Sequence, residues 1–173
     1  MQARAFWKAV TVDRSNILER FFELLTTHDV RFCLIGGQAL NAYVEPVVSL
    51  ALDVVVASDQ AAAAESLLGR DFELTRFPYS LNLSRPDSDL RIQIQLDPRY
   101  AAFVDRASTR EVLGLQVPVA TLEDILHGKV WSVQDLTRRG SKRQKDLADI
   151  ARVLERYPQL RPMIPPDVLA RLV

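Results

Sequence analysis

The residues best suited to chemistry lie in one short stretch. The run Leu34-Ile35-Gly36-Gly37-Gln38-Ala39-Leu40 passes from apolar residues into a glycine pair, and Asp53 follows within Ser49-Leu50-Ala51-Leu52-Asp53-Val54-Val55-Val56. A glycine pair at a strand end lets backbone N–H groups come close to a phosphate, and a helix opening there adds the positive end of its dipole. The same pair also serves as a plain tight turn, so the nearby acidic residue is what makes the phosphate reading specific. A second candidate is the basic run Arg138-Arg139-Gly140-Ser141-Lys142-Arg143-Gln144-Lys145. Cations beside the free N–H groups of a helix start could hold a phosphate, from a nucleotide or from RNA. The alternative is a solvated basic loop balanced by Asp146 and Asp149. Lys145 and Asp149 also have the spacing of an ordinary i,i+4 pair, worth about 0.2–0.5 kcal/mol.

The elements that must position these residues can be read from pattern. A helix from a Ser15 cap to about Thr27 carries Ile17, Phe21, Leu24 and Leu25 on one face. Val30 to Ile35 reads as a buried strand, Gln38 to Tyr43 as a short helix, and Leu50 to Ala57 as a valine-rich strand. Ser58 or Asp59 caps a helix that ends near Gly69. Phe72 to Phe77, Ser80 to Ser84 and Leu90 to Leu96 read as strands. The last alternates, with Leu90, Ile92, Ile94 and Leu96 on one face and Arg91, Gln93 and Gln95 on the other. An extended piece, Val112 to Val119, leads into two helices, Leu122 to Val133 after Thr121 and Lys142 to Tyr157 after Ser141. A proline-rich end, Pro158 to Pro166, is expected to wrap the surface. The order predicts an α/β (α+β) protein: a mixed sheet flanked by helices, with a helical C-terminal section. A single domain over 1–173 is expected, its core at about 16–120 and its C-terminal helices at about 121–173.

These motifs resemble the nucleotidyltransferase superfamily, and in particular the small AbiEii-like proteins of toxin–antitoxin loci. The resemblance rests on the glycine turn with the Asp53 strand, and on Thr121-Leu122-Glu123-Asp124-Ile125-Leu126-His127-Gly128-Lys129 followed by Arg143-Gln144-Lys145-Asp146-Leu147-Ala148-Asp149-Ile150. It implies a nucleotidyltransferase fold. It also implies transfer of a nucleotide from an NTP to an RNA or protein hydroxyl, with Mg²⁺ as cofactor and a cognate antitoxin-like protein as partner. Site roles follow by position: Asp53, Lys129 and Lys145 in catalysis, and Gly36, Gly37, Gln38, Arg143 and Asp146 at the nucleotide. Asp53 and Asp97 are the candidate metal ligands.

The family pattern has Asp-x-Asp on the strand after the glycine turn and a third carboxylate on a later strand. Residues two apart on a strand face the same way, so such a pair offers two carboxylates to two bridging metals. Here the first position is Ala51. On Leu90 to Leu96 the polar positions are Arg91, Gln93 and Gln95, while Asp97 shares the parity of the apolar face and reaches a site only if the strand bends. Hard cations favour several charged oxygen ligands, so one carboxylate with neutral amides makes a poor Mg²⁺ site. Three readings of Asp53 therefore stand: a metal ligand, a solvated strand-end residue, or part of a nucleotide site that has no turnover. In the third, the protein is a degenerate module binding a nucleotide or a protein partner.

Other classes find little support. His28 and His127 have no Cys or Glu at zinc-ligand spacing. Cys33 sits in an apolar run and reads as an inert thiol. There is no Walker loop and no Gly-x-Ser-x-Gly elbow. The aromatic residues Phe6, Trp7, Phe21, Phe22, Phe32, Phe72, Phe77 and Trp131 are spaced like core, and Arg99-Tyr100 as an exposed turn that could stack on a base. Basic and acidic residues balance at 22 each, so no whole-molecule field draws double-stranded DNA or a membrane surface. No segment approaches the ~20 apolar residues of a membrane span, and Met1 to Lys8 lack the continuous apolar stretch expected of a signal peptide. A cytoplasmic location is expected.

Overall fold

A computed structural model describes residues 16–45, 49 and 51–172. The central element is a seven-stranded mixed sheet. In chain order its strands are β1 (Phe32–Ile35), β2 (Ala51–Val56), β3 (Glu73–Phe77), β4 (Ser80–Ser84), β5 (Arg91–Gln95), β6 (Ser108–Val112) and β7 (Leu115–Val119), in the spatial order β3-β4-β5-β2-β1-β7-β6. β2 runs parallel to β5 and antiparallel to β1, which in turn pairs in parallel with β7. β1, which lies inside the sheet, is buried at every position, as a strand covered on both faces must be. β3, at one edge, is exposed at all but one of its residues.

The helices are α1 (Ile17–Thr27), α2 (Gly36–Leu40), α3 (Ala61–Leu68), α4 (Phe103–Arg106), α5 (Leu122–Gln134), α6 (Gly140–Arg156) and α7 (Pro166–Leu169). In α1 the apolar stripe is buried as its 3.6-residue period requires: Ile17, Phe21 and Leu25 are all inaccessible. Phe21 meets Phe72 edge-on at 6.4 Å and Phe22 at 5.6 Å. The alternation of β5 also holds: Leu90, Ile92 and Ile94 lie in the core beside Leu52 and Val54 of β2. Gln93 and Gln95 point to the other face. α2 packs on β1, β2 and α5, and α5 packs along α6. Two tyrosines tie these layers together. Tyr43 donates to the Ala120 carbonyl at 2.7 Å, and Tyr157 donates to the Tyr43 carbonyl at 2.9 Å.

Several local expectations are corrected. The Ser15 cap, Phe6 and Trp7 lie outside the described residues. Val112 to Val119 is one arm and the turn of a hairpin whose other arm is β6. Its turn residues Leu113 and Gly114 both have positive φ, 54° and 78°, as a two-residue type I′ connection requires. Leucine is rare in that conformation, so no sequence signal marks the turn. Ser141 does not cap α6: the helix starts two residues earlier than expected, at Gly140, with Arg139 in the N-cap position and no side-chain cap. Ser58 and Asp59 form a short 3₁₀ turn rather than a cap. Thr121 caps α5 as expected, accepting from the Asp124 N–H at 3.1 Å. Phe77 is 46% exposed at the β3–β4 turn instead of joining the core, and Tyr100, read as an exposed turn residue, is buried.

Truncating the α1 stripe should unmake this packing. Phe21→Ala is expected to cost about 3–5 kcal/mol, measured by chemical denaturation. A cost below about 1 kcal/mol would place Phe21 outside a close-packed core.

Candidate nucleotide-binding site

A cleft of about 250 Å³ opens over the polar face of β2 and β5, beneath α5 and the start of α6. Its floor is Ala51 and Asp53 from β2 with Gln93 and Gln95 from β5. Register sets Asp53 between Ile35 of β1 and Gln93 of β5, and Ala51 beside Arg91. Ala51 therefore shares the cleft face with Asp53, as two-residue spacing dictates, and brings no ligand atom. Gln93 stands at Asp53's flank with a neutral amide.

The glycine turn closes one side. Gly36 has φ +73°, and a Cβ built on it would lie 3.1 Å from the Asp53 Cβ and collide with an Asp53 carboxylate oxygen. Only glycine satisfies both the left-handed backbone and that approach. At Gly37 a Cβ would meet the Lys145 ammonium at 3.4 Å, so Lys145 overhangs the turn. α2 is five residues long, which leaves it little macrodipole; the positive charge at this turn comes from side chains instead.

Those side chains are held by an ion network between α5 and α6. Lys129 is buried on α5 and pairs with Asp146 at 3.1 Å and Asp149 at 2.8 Å. Arg138 reaches Asp146 at 2.7 Å, and Asp149 also meets Arg152 at 3.0 Å and Lys145 at 3.4 Å. Burial works against the Lys129 ammonium, but Asp149 and Asp146 outweigh it and raise its pKa. Burial likewise works to lift the Asp149 carboxyl, and the cations Lys129, Lys145 and Arg152 hold it below the ordinary value. Both are therefore charged. Asp53 differs: withdrawal from bulk water raises its pKa despite Lys129, Arg138 and Lys145. The far end of the cleft is apolar. Tyr100 and Phe103 line it, their rings 5.2 Å apart, and Gly128 lets α5 approach the Tyr100 ring, which a Cβ there would meet at 3.1 Å.

Of the residues singled out from sequence, Gly36, Gly37, Asp53, Lys129, Lys145 and Asp146 meet at the cleft. Three do not line it. Gln38 is buried, donating to the Ser49 carbonyl at 3.1 Å and accepting from Asn41 at 3.3 Å, so it braces the connection from α2 to β2. Arg143 is not among the residues that line the cleft. Asp97 accepts from the Arg99 backbone and guanidinium at 2.9–3.1 Å in the turn after β5. Although burial works to lift its carboxyl, Arg99 holds the pKa below the ordinary value. Lys142 and Arg138 line the cleft from within the basic run. Asp124 and Ser132 also line it; Asp124 stands in the run Thr121 to Lys129 that carries the family resemblance, and its carboxylate is taken by a bidentate Arg106 at 2.8 and 3.0 Å.

A pair of divalent metals does not fit this donor set. Asp53 is the one floor carboxylate, and the Gln95 amide oxygen already accepts from the Asp97 N–H at 3.0 Å. Among the described residues, no group of three His, Cys, Asp or Glu side chains is placed to hold a metal.

The glycine turn on a central strand, the Asp53 strand beside it and the lysine–aspartate helix pair also form a pattern that can be compared with known families. Residues 19–172 match the family model described as nucleotidyl transferase AbiEii toxin, type IV TA system. The chain belongs to the AbiEii nucleotidyl transferase family. Solved structures share the fold of this AbiEii protein at low identity. ANT(2″)-Ia in complex with adenylyl-2″-tobramycin superposes with TM-score 0.61 at 11% identity, covering 90% of this chain and 97% of that one. The lincosamide antibiotic adenylyltransferase LnuA, lincomycin-bound, gives 0.51 at 13%, covering 80% and 97%. An antigenic nucleotidyltransferase-like protein from Paracoccidioides brasiliensis gives 0.53 at 17%, covering 81% and 74%. No curated protein matches the chain. The nucleotidyltransferase fold expected from sequence stands, and no helix among the described residues is long and apolar enough to cross a membrane.

The raised pKa of Asp53 carries a stability consequence. A carboxyl whose folded pKa exceeds its unfolded value loses stability for the fold as pH rises from the unfolded value through the folded one. Asp53→Asn removes that loss. The variant is expected to melt above the parent near neutral pH and with it below pH 3.8, the ordinary value, in thermal melts across pH. A lower melting temperature near neutral pH would show that the charged carboxylate stabilises the fold.

Proposed function

We propose that this AbiEii-family chain holds a nucleoside triphosphate in the cleft and does not transfer its nucleotidyl group at an enzyme's rate. The single observation that carries this reading is the floor of the cleft, where Asp53 stands between two neutral positions, Ala51 and Gln93, on one face. Nucleotidyl transfer by two metals relies on bridging carboxylates to bring an attacking hydroxyl and the α-phosphate together and to offset charge in the transition state. A lone carboxylate cannot bridge in this way. What is retained favours holding the ligand: the glycine turn, Lys145 above it and Lys142 at the mouth suit a polyphosphate. The apolar end at Tyr100 and Phe103 suits the less polar part of a nucleotide.

In this reading Lys145 and Lys142 contact phosphate, Gly36 and Gly37 allow the chain to approach it, and Lys129 with Asp146 braces the cleft wall. The role of Asp53 is to pack against Gly36 as a cleft-floor residue. An antitoxin-like protein is the partner that the family description supports, and an RNA or protein hydroxyl would be the acceptor only if transfer occurs.

The test is incubation with NTPs radiolabelled at the α-phosphate, in Mg²⁺ or Mn²⁺, with total RNA and with the protein itself as acceptors. No covalent label above that of the heat-denatured protein is expected. Label that accumulates with time and disappears in Asp53→Asn would overturn the reading in favour of an active transferase.

A further inference from the structure

We infer that the cleft binds its nucleoside polyphosphate without any divalent cation, with fixed side-chain cations standing where metal ions would otherwise sit. The inference rests on the nucleotide-holding reading above and adds how that ligand is recognised. Among the residues that line the cleft, the cations Lys129, Arg138, Lys142 and Lys145 outnumber the carboxylates Asp53, Asp124 and Asp146 by one. The excess is not spread evenly. Arg106 is consumed by Asp124 in a bidentate pair on the far wall, and Lys129 and Arg138 are held by Asp146. Asp149 is shared by three cations, and Lys145 is the most distant of them at 3.4 Å, with its side chain 51% exposed. Lys145 thus reaches the glycine turn with much of its charge unspent, and Lys142 lines the mouth one turn earlier on α6.

This is an anion site by charge, and its floor is poor in oxygen donors. A hard cation bound with a nucleotide draws oxygens from water and phosphate and is held by one or two protein carboxylates; here the floor offers Asp53 alone, flanked by Ala51 and Gln93, with Lys129, Arg138 and Lys145 close by to repel a cation. Bare polyphosphate meets the opposite situation: its charge falls on the cations and its oxygens accept their N–H groups. Complexing the ligand with Mg²⁺ takes away part of the charge these groups recognise. A site that depends on Mg²⁺ gains affinity from the metal, whereas this one should lose it or stay level.

Calorimetric titration of the full chain with ATP, GTP, CTP and UTP, each in EDTA and in Mg²⁺, tests this directly. At least one NTP is expected to bind in EDTA, with Mg²⁺ leaving its affinity level or weakening it. Lys145→Ala should weaken the EDTA binding by about tenfold or more, the loss of one charge-assisted contact, and Lys145→Arg should restore most of it. Asp53→Asn, which removes a like charge from the floor, should tighten binding. Binding seen only in Mg²⁺, or clearly tightened by it, with Asp53→Asn abolishing it, would overturn the inference and leave the nucleotide-holding reading standing. No binding of any NTP in either condition would overturn both, and tripolyphosphate binding as tightly as the NTPs would still support the metal-free anion site while removing the nucleotide from it.

Discussion

The structure around the cleft depends on Lys129. A buried ammonium is costly unless it is paired, and breaking a buried pair by removing one partner costs about 3–5 kcal/mol. Lys129 therefore needs Asp146 and Asp149, and both lie on α6 while the lysine lies on α5. That requirement fixes how the two helices sit against each other, and Arg138 and Arg152 reinforce it from either side. Because α5 also packs on α2, the same contact sets α6 above the glycine turn. Lys142 and Lys145 are carried into place as a result.

The cleft then divides into a part that is complete and a part that is not. The side at the glycine turn is tightly built: Gly36 must be glycine, Gly37 faces Lys145, and Gln38 braces the strand that follows. The floor carries a single carboxylate, Asp53. β2 and β5 keep the register that sets residues 51, 53 and 93 on one surface, but two of those three are Ala and Gln. In the proposed reading, this surface offers a place for an anion and lacks the paired carboxylates that would activate a hydroxyl beside it.

Much of this was legible in the sequence because it rests on local rules. The glycine pair after an apolar run, the period-2 alternation of residues 90–96 and the helix stripes are all fixed by nearest neighbours along the chain. Even the unusual floor could be anticipated, since residues two apart on a strand share a face. The misses come from turn geometry, from contacts between elements or from strained backbone. Asp97 is turned to Arg99 by the local turn, and Gln38 is taken by the Ser49 carbonyl, so neither reaches the cleft. The β6–β7 turn hides behind a leucine at positive φ. Tyr100 reaches the cleft because Gly128 admits its ring to α5, a contact across 28 residues that no local pattern encodes.

In the proposed reading the floor, with Asp53 between neutral neighbours, holds no metal, while residues 51, 53 and 93 share one surface. Mn²⁺ titration followed by electron paramagnetic resonance tests it most directly, comparing the parent protein with an Ala51→Asp, Gln93→Asp double variant. The parent is expected to leave the Mn²⁺ signal that of the free ion, and the double variant to bind Mn²⁺, because restoring two carboxylates on an unchanged surface completes the ligand set. Specific Mn²⁺ binding by the parent, lost on Asp53→Asn, would contradict the account.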